Sequence, residues 1–228
     1  MKKSPSTKET EDAAASTGFP CPLVDGLTLP EDVRTLLRPD ELARDSRGHA
    51  HRLPRFFFEI ASWQLAKETL LTPHFRLSEL LVVDCRETPR LLREFPHYVP
   101  CTVALLARYL EGLRERAGNV PVFIAANGGY RSPSHHLDSG TPDADTCLGP
   151  HQWAVAADIF RVGDTLLNTQ ATIEKYAALA RDLGPGVNVL PYGHGSDQTD
   201  DHLHVDLGYS RFVPVGFDEG DTSAPSFG

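Results

Sequence analysis

The stretch "DDHLHVDLG" (residues 200–208) combines an apolar strand pattern with two histidines and three carboxylates. Because side chains alternate between the two faces of a strand, His202, His204 and Asp206 are predicted to share one face. The opposite face is apolar and can pack on a core, since it carries Leu203, Val205 and Leu207. Burying so many polar groups is costly. Two interpretations therefore stay open at this point, a solvated edge strand or a functional face.

The composition of the 228-residue chain is that of a soluble globular protein, with 40% hydrophobic and 23% charged residues. Its net charge of −9 argues against nucleic acid as a partner. No apolar run in the sequence is long enough to span a membrane. The first eighteen residues lack the apolar core of a secretory signal peptide, so the sequence itself does not indicate export.

Composition divides the chain into four segments. Residues 1–18 and 216–228 are rich in small and polar residues and are predicted to be a disordered and a flexible tail. Residues 19–72 are interpreted as an N-terminal extension packed on the core, with a strand in "RFFFEIASW" (residues 55–63). Residues 73–215 form the predicted functional domain.

Two helices and four strands are predicted within that domain. The helices are "VPCTVALLARYLEGLRERAG" (99–118), with Pro100 in the first turn and Gly118 as a stop, and "NTQATIEKYAALARDLGPG" (168–186). Apolar residues at helical spacing predict their buried faces: Val103, Leu106, Leu110 and Leu113, then Ile173, Tyr176, Ala180 and Leu183. Strands are predicted at residues 120–126, 154–161, 187–192 and 202–209. This order of elements favours an α+β fold with a mainly antiparallel sheet flanked by helices.

A second polar motif, "GPHQWAVAADIF" (residues 149–160), places His151 seven residues before Asp158. Asp158 is flanked by Ala157 and Ile159 in an apolar strand that is predicted to be buried. A buried carboxylate requires a cation, a metal ion or several hydrogen-bond donors. An aspartate that hydrogen-bonds to a neighbouring loop is the alternative interpretation.

A third motif, "AANGGYRSPSHH" (residues 125–136), offers Arg131 directly after a strand and a Gly-Gly turn. A cation at this place can hold a substrate carboxylate or a developing oxyanion. The alternative is a surface arginine in an ordinary turn.

Two histidines and one carboxylate with open positions suit zinc in a hydrolase or iron in an oxygenase. Iron oxygenases usually place a histidine and a carboxylate two residues apart, so the seven-residue spacing speaks against them. Zinc hydrolysis also needs a general base. The HExxH motif is absent, and Asp201 is the acidic residue adjacent to the histidines. The four cysteines form no CxxC pair, which disfavours a structural zinc knuckle.

Three segments, "GGYRSPSHH", "HQWAVAADI" and "DDHLHVDLG", in this order and spacing, resemble the zinc D-alanyl-D-alanine carboxypeptidases and murein endopeptidases. Relatives of that family include the vancomycin-resistance dipeptidase, phage L-alanyl-D-glutamate endolysins and the Hedgehog signalling domain. The likeness covers roughly residues 73–210, including "FRLSELL" (75–81). It implies a Hedgehog-like fold and a zinc peptidase that hydrolyses peptidoglycan peptides containing D-amino acids.

The resemblance also implies roles for individual residues. His151, Asp158 and His204 would be the zinc ligands, and Asp201 would be the catalytic acid or base. Arg131 would bind the substrate or its tetrahedral oxyanion. Two further residues would have supporting roles beside the ligands: His202 and Asp206.

The sequence departs from the family pattern at two positions. A serine two residues before the first ligand is replaced by Gly149, and a glycine three residues after that ligand is replaced by Ala154. These changes motivate an alternative function, a non-catalytic zinc-containing module that binds the cell wall. In either case the expected partner is peptidoglycan or a muropeptide, and the resemblance implies a periplasmic or extracellular location.

Overall fold

The computed structural model describes residues 21–45, 47–82, 98–131, 149–184, 186–192 and 202–214. Four α-helices lie in these ranges: α1 Glu31–Leu37, α2 Trp63–Glu68, α3 Val103–Arg116 and α4 Gln170–Arg181. Three short 3-10 helices also occur there: Gly26–Thr28, Leu77–Leu80 and Pro150–Trp153. Within the described part of the chain, every helix is too short or too polar to cross a membrane.

Ten strands lie in the same ranges and pair only in antiparallel fashion. They are β1 Leu23–Asp25, β2 Leu42–Arg44, β3 Ala50–Arg52, β4 Phe56–Glu59, β5 Tyr98–Pro100, β6 Val122–Ile124, β7 Ala156–Val162, β8 Thr165–Leu166, β9 Asn188–Tyr192 and β10 His202–Asp206. The largest sheet has the order β6-β7-β10-β9, and β8 pairs with Arg161 and Val162 at the C-terminal end of β7. A second sheet has the order β1-β4-β5, and β2 and β3 form a hairpin. These features confirm the coarser prediction of a mixed α and β chain with antiparallel sheets.

The two long helices bury the predicted faces against one side of the largest sheet. On α3 the four predicted core residues are fully buried, and on α4 Ile173, Tyr176 and Ala180 are buried. Leu203 and Val205 of β10 belong to the same apolar cluster. At the beginning of α4, the hydroxyl of Thr169 accepts a hydrogen bond from the backbone N–H of Thr172, which caps the helix.

The prediction that Pro100 lies in the first turn of a helix is wrong. Pro100 is the last residue of β5 and lies opposite Phe57 of β4. The backbone N–H of Cys101 donates to the Phe56 carbonyl, so pairing with β4 holds the chain extended up to this point. The helix α3 therefore begins only at Val103. The predicted end of the helix at Gly118 is close to the observed end at Arg116, because Gly118, with φ +92°, follows the last turn.

The interpretation of residues 202–208 as a solvated edge strand is also wrong, because β10 lies between β7 and β9. Leu203 and Val205 are fully buried on one face. On the other face His204 and Asp206 are buried as well. The polar face of this strand is therefore enclosed by protein rather than by water, and its polar groups need partners within the fold.

Residues 21–72 share their core with the rest of the chain. The strand β4 pairs with β5, which places Phe56 and Phe58 in the main apolar cluster. A smaller cluster joins the β2–β3 hairpin to the 3-10 helix that carries His151, and it contains Ala43, Leu53, Trp153 and Val155. The indole Nε1 of Trp153 donates to the Arg52 carbonyl at 2.9 Å. The boundary at residue 72, where the family resemblance begins, remains a prediction.

Candidate metal centre

Three buried side chains from three separate elements meet on the face of the largest sheet that points away from α3 and α4. His151 comes from the 3-10 helix Pro150–Trp153, Asp158 from β7 and His204 from β10. Their relative exposures are 7%, 5% and 7%. One ligand atom from each residue lies within 4.8 Å of the other two. This group can hold a metal ion, and its members are the three residues that the family resemblance implies as ligands.

His151 is held in one orientation by a backbone carbonyl. Its Nδ1 is 2.8 Å from the carbonyl oxygen of Gly129, and because a carbonyl only accepts, Nδ1 donates this hydrogen bond. The other ring nitrogen, Nε2, lies 3.4 Å from Oδ1 of Asp158. Burial lowers the pKa of His151, while hydrogen bonding to Asp158 opposes that shift. The backbone carbonyl thus fixes the ring with its Nε2 directed at Asp158, and a partner of this kind commonly orients a metal-binding imidazole.

His204 lies between two carboxylates. Its Nδ1 is 2.7 Å from Oδ1 of Asp158, and its Nε2 is 3.1 Å from Oδ2 of Asp206. Burial by itself would lower the pKa of His204, but the hydrogen bonds to Asp158 and Asp206 outweigh burial and raise the pKa to about 9. Both ring nitrogens therefore carry protons at neutral pH and donate. A metal ion at Nδ1 would replace the proton that this nitrogen shares with Asp158.

Asp206 fixes the ring of His204 from the far side. Its Oδ1 accepts hydrogen bonds from Asn188 Nδ2 at 2.8 Å and from the backbone N–H of Gly208 at 2.7 Å. Burial would raise the pKa of Asp206, but the hydrogen bonds from His204, Asn188 and Gly208 lower it. The carboxylate thus stays charged and holds Nδ1 of His204 toward Asp158. Carboxylates commonly orient metal-binding histidines through the nitrogen that does not face the metal.

Asp158 is the centre of the group. Burial would raise its pKa, but hydrogen bonds from His151 and His204 hold the pKa far below the usual range of an aspartate. Its Oδ2 accepts a hydrogen bond from Arg131 Nη2 at 3.0 Å. Asp158 is thus a buried carboxylate surrounded by Arg131, His151 and His204, and the alternative of an aspartate that only bonds to a loop does not describe it.

The structure places Arg131 at the site, so it is not an ordinary surface arginine. Its Nε donates to the Asn127 carbonyl at 3.1 Å, and its backbone N–H donates to the His151 carbonyl at 3.3 Å. The guanidinium is directed at Asp158 rather than at an open groove, and the side chain is 29% exposed. Because the sequence gives no spacing rule for such a pair, this contact was not predicted.

Of the remaining predicted residues, His202 lies close to the group. Its Nε2 is 3.7 Å from Oδ1 of Asp158, and its side chain is 23% exposed. Asp201, the predicted acid or base, lies outside the described residues. It precedes β10 directly and is three residues before His204.

Two glycines allow the loop after β6 to lie against the site. A Cβ built on Gly128 would lie 2.7 Å from the carbonyl oxygen of Asp158 and 2.8 Å from its Cβ, which no real side chain tolerates. A Cβ on Gly129 would collide with the backbone of Leu80. Both positions therefore require glycine, and their close approach brings the Gly129 carbonyl to His151 and Arg131 to Asp158.

The two departures from the family pattern have different structural consequences. Ala154 has φ +55° and ψ 34°, a left-handed conformation that glycine adopts without cost and that alanine adopts at a cost of roughly 1–2 kcal/mol. Gly149 has an ordinary φ of −113°, and its backbone N–H donates to Gln152 Oε1 at 2.8 Å. Among the described residues, a Cβ at Gly149 would meet only this oxygen, at 3.6 Å.

The donor set and its spacing fit a small metal ion. Tetrahedral zinc with bonds of about 2.0–2.1 Å separates its ligand atoms by roughly 3.3 Å. The distance from His151 Nε2 to Asp158 Oδ1 is 3.4 Å, close to that value. The distance from His204 Nδ1 to the same oxygen is 2.7 Å, shorter because a hydrogen bond joins the two atoms directly. To bind zinc together, His204 Nδ1 and Asp158 Oδ1 would have to move apart by about half an ångström.

Two contacts that orient the histidines have no signal in the sequence. The Gly129 carbonyl is a backbone group, so residue type does not reveal it. Asn188 lies opposite Asp206 in the pairing of β9 with β10, which is a long-range relationship. In comparisons with known proteins, the chain matches no protein-family model, no curated protein and no solved structure.

Proposed function

We propose that this chain is a zinc-dependent metallopeptidase that hydrolyses peptidoglycan peptides containing D-amino acids, as a D,D-carboxypeptidase or a murein endopeptidase. The observation that carries the proposal is the buried group of His151, Asp158 and His204. Two of the three motifs that suggested the family resemblance supply this group, and Arg131 of the third motif contacts it through Asp158. The antiparallel sheet with helices on one face is compatible with a Hedgehog-like fold, which we include in the proposal.

His151, Asp158 and His204 would hold the zinc ion through imidazole and carboxylate donors. Bound zinc lowers the pKa of a coordinated water to about 7 and polarises a carbonyl group. Asp201 would accept the proton of the attacking water and pass it to the leaving amine. His202, whose Nε2 already lies 3.7 Å from Asp158, would hydrogen-bond to the substrate or the water.

Arg131 would stabilise negative charge on the substrate, for which it must exchange its partner. Its Nη2 now bonds to Oδ2 of Asp158. A divalent ion beside Asp158 would compensate the charge of this carboxylate and weaken its hold on the guanidinium. The partial exposure of Arg131 leaves a path toward a substrate on the solvent side.

The test uses defined muropeptides and mass spectrometry on the purified full chain, with zinc and with excess chelator. We expect cleavage at a bond next to a D-amino acid in the presence of zinc and none with chelator. Asp201→Asn should retain zinc and lose turnover by at least about a hundredfold, while His204→Ala should lose both. Full hydrolysis by Asp201→Asn would remove Asp201 from its assigned role. Metal analysis of the protein as purified would reject zinc if iron were bound instead.

A second candidate is a non-catalytic zinc-containing module that binds the cell wall. The ion pair between Arg131 and Asp158 favours it, because that pair engages the cation that a peptidase needs for its substrate. Co-sedimentation with isolated peptidoglycan separates the two functions. A binding module would sediment with the polymer in the presence of zinc and release no soluble fragments, whereas a peptidase would release them.

A further inference from the structure

A bulge in β7 brings a second arginine onto the face of the sheet that carries the metal centre. Val162 of β7 lies opposite Val122 of β6, and Ile159 lies opposite Ile124, with a register shift between these pairs. Val122, Ile159 and Val162 are buried in the main apolar cluster on the helical side. The pair that lies between them, Phe123 and Arg161, therefore points to the other face of the sheet.

Arg161 is paired with Phe123 in this register, so both side chains lie on the face away from the helices. Asp158 lies on the same face, because its neighbours Ala157 and Ile159 belong to the apolar cluster. In a regular strand, residues 158 and 161 would point to opposite faces. The bulge removes this alternation and re-aims Arg161 toward the side of the metal centre.

The guanidinium of Arg161 has an aromatic surface beneath it and no acidic partner in the described ranges. Its Cζ lies 3.8 Å from the ring centroid of Phe123 and 5.9 Å from that of Phe160. Its Nε is buried and has no hydrogen-bond partner within the described part of the chain. A buried donor without a partner is costly in a folded protein, so hydrogen bonds within the described residues do not explain why Arg161 is held here.

The surroundings of Arg161 are apolar and accessible. Phe160 is 37% exposed, and Leu166, which lies opposite Arg161 in the pairing of β7 with β8, is 49% exposed. A guanidinium stacked on an aromatic ring can still offer its two terminal nitrogens, Nη1 and Nη2, for parallel hydrogen bonds to a carboxylate. The three residues from Asp158 to Arg161 span at most about 10 Å along a strand. This separation is short enough for one small peptide to reach both the metal centre and Arg161.

We propose that Arg161, stacked on Phe123, forms a subsite for a carboxylate, and that it binds the free C-terminal carboxylate of a peptide whose scissile bond lies at the metal centre. Phe160 and Leu166 provide an apolar wall for the small side chain next to that carboxylate. This inference rests on the proposed peptidase function and specifies its substrate: a peptide cut beside a free C-terminus rather than within a cross-link. Arg131, which is paired with Asp158, would then stabilise the negative charge that develops on the reacting carbonyl group.

Binding of N-acetyl-D-alanine to the zinc-loaded full chain tests the subsite without any need for turnover. The titration follows the arginine Nε–H signals by NMR, with the Arg161 signal assigned by its loss in Arg161→Gln, and N-acetyl-D-alanine amide is the matched ligand without charge. We expect the acid, but not the amide, to shift the Arg161 signal. Arg161→Gln should weaken binding of the acid by at least about tenfold, which corresponds to the loss of a charge-assisted hydrogen bond.

Arg181→Gln is the control variant, since it removes the same charge from α4 on the opposite side of the sheet, where Arg181 is exposed beside Glu174. It should bind the acid as tightly as the wild type. Arg161→Lys keeps the charge but lacks the planar fork, and it should recover only part of the affinity. Equal binding of acid and amide, or unchanged affinity in Arg161→Gln, would overturn the proposal.

Hydrolysis assays separate this proposal from the proposed function. If the wild type cleaves a D-Ala-D-Ala peptide and its C-terminal amide equally fast, the carboxylate subsite is rejected and the peptidase stands. If no peptide is cleaved but binding of the acid depends on Arg161, the anion subsite stands and its role beside a scissile bond is rejected together with the peptidase.

Discussion

His204 of β10 lies directly opposite Asp158 of β7, and its Nδ1 is 2.7 Å from Oδ1 of that carboxylate. The antiparallel register produces this contact, because directly opposite residues point to the same face. Asp206, two residues further along β10, bonds to the other nitrogen of the same ring. The imidazole is thus oriented before any metal binds, which lowers the cost of forming the centre.

Zinc should stabilise the chain against thermal unfolding, because it binds the folded site and not the unfolded chain. At a hundredfold excess over its dissociation constant, a ligand adds about 2.7 kcal/mol to the free energy of unfolding. We expect the melting temperature to rise by several degrees with zinc and to fall back with chelator. His204→Ala should show no zinc-dependent shift. His74→Ala, at an exposed histidine paired with Glu111, should respond like the wild type.

Asp206→Asn should weaken zinc binding about ten- to a hundredfold without removing a ligand. The carboxylate holds Nε2 of His204, and loss of such an orienting partner typically has this effect. Competition with a chromophoric chelator measures the affinity. An affinity equal to that of the wild type would show that Asp206 does not orient the ligand.

Ala154 provides a test of backbone conformation beside the first ligand. Ala154→Gly relieves roughly 1–2 kcal/mol of left-handed strain but removes a buried methyl group worth about 0.8 kcal/mol. We therefore expect its free energy of unfolding to change by less than about 1 kcal/mol. Ala154→Val should destabilise the chain by more than about 2 kcal/mol, because a β-branched residue fits this conformation poorly. Urea denaturation of the two variants measures both values, and equal stability of valine and glycine would contradict the assigned conformation.

The ion pair between Asp25 and Arg55 should make stability depend on pH in the acid range. Arg55 donates from Nε to Oδ1 of Asp25 at 3.0 Å and from Nη2 to Oδ2 at 2.6 Å. Burial would raise the pKa of Asp25, but the hydrogen bonds from Arg55 and from the backbone of Leu27 lower it below 3.8. Since the folded pKa is the lower one, the stabilisation is fully present above the unfolded pKa and is lost as the pH falls through the folded pKa.

Asp25→Asn should accordingly lower the free energy of unfolding at pH 7 by about 1–2 kcal/mol, so that the variant unfolds at a lower urea concentration than the wild type. This difference should shrink progressively below about pH 4. Urea titrations of both proteins at pH 7 and pH 3 give the comparison. A difference that stays constant between the two pH values would show that the carboxylate is not stabilised in its charged form.

Much of the local structure follows from the sequence because its causes are local. The 3.6-residue period places Leu106 and Leu110 on the buried face of α3, and alternation along β10 separates His204 from Leu203 and Val205. The end of α3 also follows from a local cause, the positive φ of Gly118. The start of that helix could not be predicted in the same way, because pairing of Pro100 with Phe57 is a contact between distant parts of the chain.

The sequence by itself supplied the candidates for the metal centre, since the resemblance of its motifs to a zinc peptidase family implies His151, Asp158 and His204 as ligands. Only the tertiary structure decided how they are used. It gave β10 a central place in the sheet, directed Arg131 at Asp158 and re-aimed Arg161 through a bulge. Periodicity depends on neighbours along the chain, whereas pairing, register and the partner of a buried charge depend on residues that meet only when the chain has folded.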